Sequence, residues 1–576
     1  MHLPNLIHTA ILAGNEASLA HRRHLARRFT DTWDQHCGHL ALQVWEDTPF
    51  FDDRQPVPDP RTSKQFDFEN FASVGLLSGE VRFICHQDGL AVLTNSLAFL
   101  SQAFSLTLDP RGLAEEMSRF IPERFKTRTP WRGVQRVPPG YKASLRPDST
   151  WGVTPITDAD SEFVSADPVT LASGEPQQAL RAAIRRSIEG ASSIVADLSG
   201  GMDSTSICGI LSNFEVPYTA AHVTSSDNNN SDWHFAKKAA TELGQSVHTL
   251  GCSHDAAGSF DSTFHGLPAA LCEGIPTWVG GDKGYALRSD FATNERHDVY
   301  LVGVGGDELF SMQYGALLSH DGPGRGRGRY RTLMRSMSAA GTLRANARML
   351  MTNRLSPGDE ARIRLGPTTN GKTSPGAALA DLGWLPGLEI PAYLAPALRA
   401  ELSANLIEFL DTSDFYLHKE RFKHTILESA VKQAKTLASV NRNFGHSKLR
   451  FSAPFLDPKL VKLVLALESH EFSPRNGHKH ILKEIVGSAL PVAVRDRRDK
   501  GELSSELYES FVVNRETVRR HLSDSYLVDL GVVSGDSMRA AMSRSMFSTS
   551  SLMELEELYH AEKWVRNMVS KVGSSS

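Results

Sequence analysis

The chain of 576 residues carries a net charge of −4, with 40% hydrophobic and 22% charged residues. This length favours two or more domains, because a single hydrophobic core rarely grows beyond about 300 residues. The composition is that of an ordinary soluble protein, and the small net charge excludes a general electrostatic attraction to nucleic acid or to a membrane surface. Any anion-binding site must therefore be built locally.

The cysteine spacing favours a reducing compartment, and the hydrophobic runs favour a protein that is neither exported nor inserted in a membrane. The cysteines are odd in number and scattered, without a C-x-x-C pair, which argues against a disulfide framework and a zinc ribbon. They are Cys37, Cys85, Cys208, Cys252 and Cys272. Residues 1–7 lack the basic flank and apolar run of a signal peptide, and the apolar stretch 460–467 is too short to span a bilayer. We therefore expect a soluble cytoplasmic protein.

The first part of the chain, to about residue 145, predicts strands and turns. Hydrophobic and polar residues alternate over residues 40–45 and 81–86, and a further apolar stretch covers 89–94. The polar, turn-rich segment 147–175 predicts a linker. We place a first domain at residues 1–160 and a second at residues 170–576.

From residue 176 the pattern changes to alternating helices and strands. Helices are predicted at 179–189 and 232–243, the latter closed by Gly244, and short apolar strands at 194–196, 218–223, 246–250 and 299–302. Repeated βα units predict the α/β class, with a parallel, doubly wound sheet. After about residue 395 the chain is predicted to be largely helical.

A glycine-rich segment follows the first of these strands. It reads Ser199-Gly200-Gly201-Met202-Asp203-Ser204. Glycines let backbone N–H groups approach an anion, the helix N-terminus adds partial positive charge, and the two serine hydroxyls add donors. Asp203 can hold a divalent ion that screens a triphosphate. A ligand-free, capped turn is the alternative, but the flanking strand, helix and acid favour a phosphate cradle.

A second glycine-rich turn follows the strand predicted at 299–302. It reads Gly303-Val304-Gly305-Gly306-Asp307-Glu308. In an open α/β sheet, ligands lie at the carboxyl ends of strands, near a switch in strand order. Alone this turn is a weak signal, but together with the first motif it predicts that Asp203 and Asp307 share a magnesium ion.

A third group of candidate residues lies in the helical region. The segment His480-Ile481-Leu482-Lys483 precedes Leu490-Pro491 and the basic stretch 495–501. A run of cations is usually a solvated surface. Lys500, however, precedes Gly501 on a predicted loop, where it can reach a pyrophosphate or a developing oxyanion. We therefore predict that Lys500 is catalytic.

Together these segments resemble the asparagine synthetase family of PP-loop ATP pyrophosphatases. The resemblance covers residues 193–501 and includes Pro454-Phe455-Leu456-Asp457, similar to a packing turn of that family. No Walker lysine follows the first glycine loop. The PP-loop that it resembles grips the β- and γ-phosphates while the α-phosphate is attacked. The resemblance implies ATP and Mg²⁺ as cofactors, and further nucleotide contacts from Leu198, Val223, Val302, Gly303 and Gly305.

The N-terminal part carries a related resemblance. Residues 129–140, from Thr-Pro-Trp to Pro-Pro-Gly, are similar to the end of the family's glutaminase domain. This implies an Ntn-type α/β/β/α domain ahead of the doubly wound synthetase domain. Asparagine synthetases release ammonia with a cysteine exposed by methionine removal, whereas this chain has His2, and its first cysteine is Cys37. We therefore expect a degenerate glutaminase domain and an amine from another source.

Three kinds of family member remain open: a lasso peptide cyclase, a β-lactam synthetase and an ammonia-dependent asparagine synthetase. Three residues before the second-motif aspartate, β-lactam synthetases have Tyr and asparagine synthetases have Glu, but this chain has Val304. Asp197 is similar to an acid found there in lasso cyclases, where asparagine synthetases are usually aliphatic. These differences favour the cyclase. An inactive scaffold or an RNA-modifying PP-loop enzyme is disfavoured, because the key acids and Lys500 are present and no RNA-binding appendage is evident.

The favoured resemblance implies an AMP-forming ligase that adenylates an Asp or Glu side chain of a precursor peptide and joins it to the peptide's N-terminal amine. An α-amino group, with a pKa of about 7.7–8.0, is partly neutral near pH 7 and needs little activation. The expected partners are the precursor peptide, a leader peptidase and a leader-binding protein, with no nucleic acid or membrane. The tract holding Arg325, Arg327, Arg329 and Arg331 is either a clamp for pyrophosphate or peptide, or a solvated loop.

Overall fold

The structure of the chain is a computed structural model, and it describes the positions of most residues. The described residues are 8–14, 40–44, 72–87, 90–97, 100, 104–146, 150–156, 163, 167–225, 227, 230–251, 260, 273–276, 282–311, 355–366, 383–385, 387–445, 448–473, 477–497, 504–544 and 548–573. Lys500, His2, Cys37, Cys252, Cys272 and the Gly/Arg tract at 322–331 lie outside them.

Two sheets make up the N-terminal part of the described chain. The first has the strand order β2-β1-β5-β4-β6 and the second β3-β7-β8. The strands are β1 (His8–Gly14), β2 (Leu40–Val44), β3 (Ser73–Val74), β4 (Phe83–Gln87), β5 (Leu90–Thr94), β6 (Val134–Arg136), β7 (Tyr141–Leu145) and β8 (Trp151–Pro155), with helix α1 (Pro110–Met117) between β5 and β6. Strands β1 and β2 are parallel, and the other pairs are antiparallel.

The two N-terminal sheets pack against each other through one apolar cluster. Ile84 and Leu93 come from the first sheet, and Val74, Ala143 and Trp151 come from the second. Strands alternate side chains between their faces, and Ile84 on β4 and Leu93 on β5 lie on the face that meets the second sheet. The result is the pair of β layers expected at the centre of an α/β/β/α arrangement.

One expectation for this region is wrong. Residues 147–175 were expected to form a linker, but Trp151–Pro155 forms strand β8, which pairs with β7 along its whole length. Trp151 is 3% exposed and packs in the cluster between the sheets. The strand was not predicted because it is short and many turn residues flank it. The amino-acid composition of the segment does not indicate that Trp151 is buried.

A five-stranded sheet forms the centre of the remaining chain. Its order is β11-β10-β9-β12-β13, and all its pairs are parallel. The strands are β9 (Ile194–Asp197), β10 (Thr219–Val223), β11 (Val247–Leu250), β12 (Val299–Leu301) and β13 (Arg450–Ser452). The chain runs from β9 outward through β10 to β11 and then returns to the other side of β9. The predicted doubly wound parallel sheet is therefore confirmed, with its topological switch between β9 and β12.

Helices surround this sheet and fill the C-terminal region. They are α2 (Glu175–Ile188), α3 (Met202–Asn213), α4 (Asp232–Leu243), α5 (Asp282–Asn294), α6 (Gly306–Phe310), α7 (Pro357–Leu365), α8 (Pro396–Leu410), α9 (Arg421–Phe444), α10 (Pro458–Leu465), α11 (His480–Val486), α12 (Val492–Arg495), α13 (Ser504–Ser523), α14 (Tyr526–Asp529), α15 (Gly535–Arg544) and α16 (Thr549–Gly573). Helix α4 has its predicted bounds, and Gly244 ends it in the left-handed conformation at φ 65°. Within the described chain, no helix is long and apolar enough to cross a bilayer.

Buried charges join the N-terminal part to helix α9. The carboxylate of Glu123 accepts hydrogen bonds from Lys126 Nζ at 3.0 Å and from Lys435 Nζ at 2.6 Å. Burial acts to raise the pKa of Glu123, but the two ammonium groups outweigh it and hold this pKa well below its usual range. The cluster therefore depends on the negative charge of Glu123.

Replacing that charge in Glu123→Gln is expected to lower the free energy of unfolding at neutral pH by about 3–5 kcal/mol, because two buried ammonium groups lose their carboxylate. The depressed pKa means that this contribution is complete above the unfolded-state pKa of about 4.3 and declines as the pH falls below it. Urea denaturation at about pH 7 and pH 3.5 should therefore show a smaller difference from wild type at the lower pH.

The matched control is Glu401→Gln, which removes a carboxylate paired with Arg111 at the surface. That change is expected to cost less than about 1 kcal/mol. Equal costs for the two substitutions would contradict the assignment of the buried cluster.

Candidate active site

The first glycine motif forms a tight loop between β9 and α3. The Ser199 amide donates to Ser204 Oγ at 3.1 Å, and the Gly201 amide donates to Ser199 Oγ at 3.2 Å. The two hydroxyl oxygens lie 2.8 Å apart. The loop is thus braced by its own serines at the N-terminus of a 12-residue helix, which carries partial positive charge.

Gly200 is required in this loop by both conformation and space. It has a φ of 82°, a region that other residues rarely adopt. A Cβ atom at this position would lie 2.3 Å from the Asp232 carbonyl oxygen, at the start of α4. The loop therefore packs directly onto the neighbouring βα unit.

The second glycine motif lies against the first. A Cβ on Gly303 would approach the Ser204 amide nitrogen to 2.9 Å, and a Cβ on Gly306 would approach Asp203 Cγ to 2.4 Å. The absence of these Cβ atoms is what allows the two loops to touch. The structure therefore brings together two motifs that begin 104 positions apart in sequence, at Ser199 and Gly303, at the carboxyl ends of adjacent strands β9 and β12.

Lys479 links the acids of the two motifs. Its Nζ lies 2.5 Å from both carboxylate oxygens of Asp203 and 2.7 Å from Asp307 Oδ1. The Lys479 side chain is 3% exposed, compared with 16% for Asp203 and 52% for Asp307. One cation thus touches both carboxylates, so Asp203 and Asp307 are close enough to share a single ion.

Lys479 was not among the site residues predicted from the sequence. It precedes the segment His480-Ile481-Leu482-Lys483, and nothing in the pattern distinguishes it from Lys483. Its backbone has a φ of 49°, the left-handed region, immediately before α11 begins. A lysine in this conformation is uncommon, and that property is visible only in the fold.

The remaining predicted nucleotide contacts lie around the same edge of the sheet. Leu198 is fully buried and directly precedes the first loop, Val302 directly precedes the second, and Val223 ends the neighbouring strand β10. Gly305 has a φ of 94° and lies against Leu456, so the packing turn supports the second loop. His222 Nδ1 lies 3.0 Å from the Leu198 carbonyl oxygen and fixes the strand end.

Arg497 ties the basic segment to the first loop. Its Nη1 donates to the Gly200 carbonyl oxygen at 3.0 Å, and its Nη2 donates to Asp232 Oδ1 at 2.6 Å. The guanidinium carbon also lies 4.3 Å from the ring centroid of Phe235. Lys500 follows three positions later, outside the described residues.

Asp197, the acid at the end of β9, belongs to a buried polar network. Arg288 Nε donates to both carboxylate oxygens, at 3.0 and 3.2 Å, and the Tyr300 hydroxyl donates to Oδ1 at 2.8 Å. Burial and the negative charge of Asp197 raise the pKa of Tyr300 well above its ordinary value. The network joins β9, β12 and α5 directly below the first loop.

Glu308 follows Asp307 and faces helix α9. Gln433 Nε2 donates to Glu308 Oε1 at 2.7 Å. Burial raises the pKa of Glu308. This contact connects the second loop to helix α9. The same helix carries Lys435, which binds the buried carboxylate of Glu123.

A family comparison identifies the fold that carries this site. The sequence model for asparagine synthase matches residues 175–566, more than half of the chain. The chain belongs to the asparagine synthase family. The matched region contains both glycine loops, Lys479 and Arg497. No individual curated protein matches the chain.

Membership of the asparagine synthase family assigns a general chemistry to this edge of the sheet. Members of the family are ATP-dependent ligases that form carbon–nitrogen bonds. The family match begins after strand β8, so it covers the doubly wound sheet but not the two N-terminal sheets. The candidate nucleotide site therefore lies where the two glycine loops meet.

Proposed function

We propose that this chain is a lasso peptide cyclase. It would adenylate an Asp or Glu side chain of a precursor peptide with ATP, release pyrophosphate, and form an isopeptide macrolactam with the peptide's N-terminal amine. The observation that carries the proposal is the contact between two glycine loops whose acids, Asp203 and Asp307, share one cation at the carboxyl edge of a parallel sheet.

The first loop is suited to the β- and γ-phosphates. It offers backbone amides, two serine hydroxyls and the positive end of α3, which together favour an anion. Lys479 is buried within reach of the same space and adds a full positive charge. The Leu198 and Val302 strand ends flank this loop, so we assign the nucleoside to that side.

The acids fit a magnesium ion. Mg²⁺ is usually held by one or two carboxylates, with the remaining positions filled by water and substrate phosphates. We assign Asp203 and Asp307 as protein ligands of this ion, since one cation already contacts both carboxylates. When bound, the ion would neutralise charge on the phosphates during attack at the α-phosphate.

The proposed reaction balances as two steps. A peptide carboxylate oxygen attacks the α-phosphorus, and the bond from that phosphorus to pyrophosphate breaks. The neutral N-terminal amine then attacks the acyl carbon, AMP leaves with the bonding pair, and the amine loses a proton. The negative charge that develops on phosphoryl and carbonyl oxygens is best stabilised by fixed cations, and we assign Lys500 to this role.

Two features support a cyclase over other members of the asparagine synthase family. The residue three positions before Asp307 is Val304, neither the Tyr nor the Glu of the small-molecule enzymes. Asp197 is held by Arg288 and Tyr300 in a built network, so a polar residue at this strand end is integral to the fold.

The direct test is mass spectrometry of the leaderless precursor peptide incubated with the full chain, ATP and magnesium. We expect a product lighter by one water, with AMP and pyrophosphate formed in equal amounts. Formation of ADP, or no ATP consumption with the peptide, would refute the proposal. Turnover with free aspartate plus ammonia, or with a β-amino acid, would instead identify a small-molecule ligase of the same family.

The proposed partners follow from the same reaction. A peptide that must present its N-terminal amine has to be cut from a leader, so we propose a leader peptidase and a leader-binding protein as partners. A cytoplasmic location, where ATP is available, is part of this proposal. A catalytically inactive scaffold remains the non-enzyme alternative, and it predicts no ATP consumption under any of these conditions.

A further inference from the structure

Lys479 occupies the space between the two carboxylates that would bind a metal ion. Its Nζ contacts three carboxylate oxygens, two on Asp203 at 2.5 Å and one on Asp307 at 2.7 Å. The ammonium group therefore lies between the two carboxylates. A magnesium ion bound by both acids would have to lie within about 2.1 Å of oxygens from each.

The position of Lys479 Nζ and the position of a magnesium ion bound by both acids overlap. A metal ion that contacts both acids lies at, or immediately beside, the point that Lys479 Nζ fills. Two like charges so close together repel, and the Lys479 ammonium group, with a side chain that is 3% exposed, is poorly screened by water. The Lys479 side chain is only 3% exposed, so the ammonium group cannot simply turn into solvent.

We infer that Lys479 and a divalent cation are mutually exclusive ligands of the Asp203–Asp307 pair, so that metal is accepted only together with nucleotide. The inference rests on the proposed function, since the phosphates of the nucleotide are the anion that would receive the displaced ammonium. Lys479 then has two partners in succession: the carboxylates before nucleotide binds and a phosphate oxygen afterwards. This makes Lys479 a positioning residue for the order of binding.

The test measures Mn²⁺ binding to the full chain without nucleotide, by electron paramagnetic resonance of the free ion. We expect wild type to bind Mn²⁺ at this site at least tenfold more weakly than Lys479→Gln, which removes the ammonium group from between the two carboxylates. Lys479→Arg keeps the positive charge and should behave like wild type. The double variant Lys479→Gln/Asp307→Asn should bind Mn²⁺ as weakly as wild type. This result would assign the tighter Mn²⁺ binding of Lys479→Gln to the Asp203–Asp307 pair.

A matched control on the same helix is Lys483→Gln, which should leave Mn²⁺ binding unchanged. Thermal unfolding of each variant checks that the fold is intact. Mn²⁺ binding to wild type as tight as to Lys479→Gln, both without nucleotide, would overturn the inference. Since no turnover is measured, formation of ADP or the absence of any product would refute the proposed function and leave this result standing.

Discussion

Lys500→Ala is expected to reduce AMP formation by about 10²–10³-fold, the usual cost of losing one fixed donor to a developing oxyanion. The reason lies in the anchoring of the preceding segment. Arg497 is bound to the Gly200 carbonyl oxygen of the first loop and to Asp232. Three residues of chain span at most about 11 Å, so this anchor limits the distance between Arg497 and Lys500.

The measurement is pyrophosphate release with saturating ATP and peptide, together with the dissociation constant for ATP. We expect the rate constant to fall much more than the affinity for ATP, because Lys500 is assigned to charge that develops during the reaction. The comparison variant is Lys483→Ala, a lysine of α11 for which no contact with the two acids is seen among the described residues. A Lys500→Ala enzyme that keeps full activity would remove Lys500 from the mechanism.

Much of the doubly wound region could be predicted from local pattern. The strands β9, β10 and β12 are short and largely buried, and the helices α3 and α4 that follow β9 and β10 bury apolar residues. Helix α4 was predicted with its ends, because Gly244 is a strong stop signal. The two glycine loops were also predicted to be neighbours, because the carboxyl ends of parallel strands meet at one edge.

The contacts that define the site could not be predicted in the same way. Lys479 meets Asp203 and Asp307 across 276 and 172 residues of sequence, and its spacing follows no periodic pattern. Arg288 reaches Asp197 because α5 packs against the sheet, and Tyr300 reaches it because β12 pairs with β9. Strand β8 was missed for a related reason, since its burial depends on a partner sheet. Local propensity specifies elements, whereas ion pairs between elements depend on how those elements pack.

The close contact between the two loops leads to a second large effect. Gly306→Ala is expected to reduce ATP-dependent turnover by about 100-fold or more, because a 1 Å displacement of catalytic groups can cost this much. A Cβ at this position would lie 2.4 Å from Asp203 Cγ and 2.5 Å from Asp203 Oδ1. Gly306 begins helix α6, and alanine favours a helix over glycine, so the backbone itself should accept the change.

The carboxylate of Asp203 must then move away from Asp307, and the pair can no longer share one cation. Isothermal titration should show weaker binding of the magnesium–ATP complex, while the midpoint of thermal unfolding should change little. Gly251→Ala is the matched control, since a Cβ there meets no atom within 4 Å. If Gly306→Ala binds the nucleotide and turns it over like Gly251→Ala, the two acids do not act through a shared ion, and the geometry on which the proposed adenylation depends is wrong.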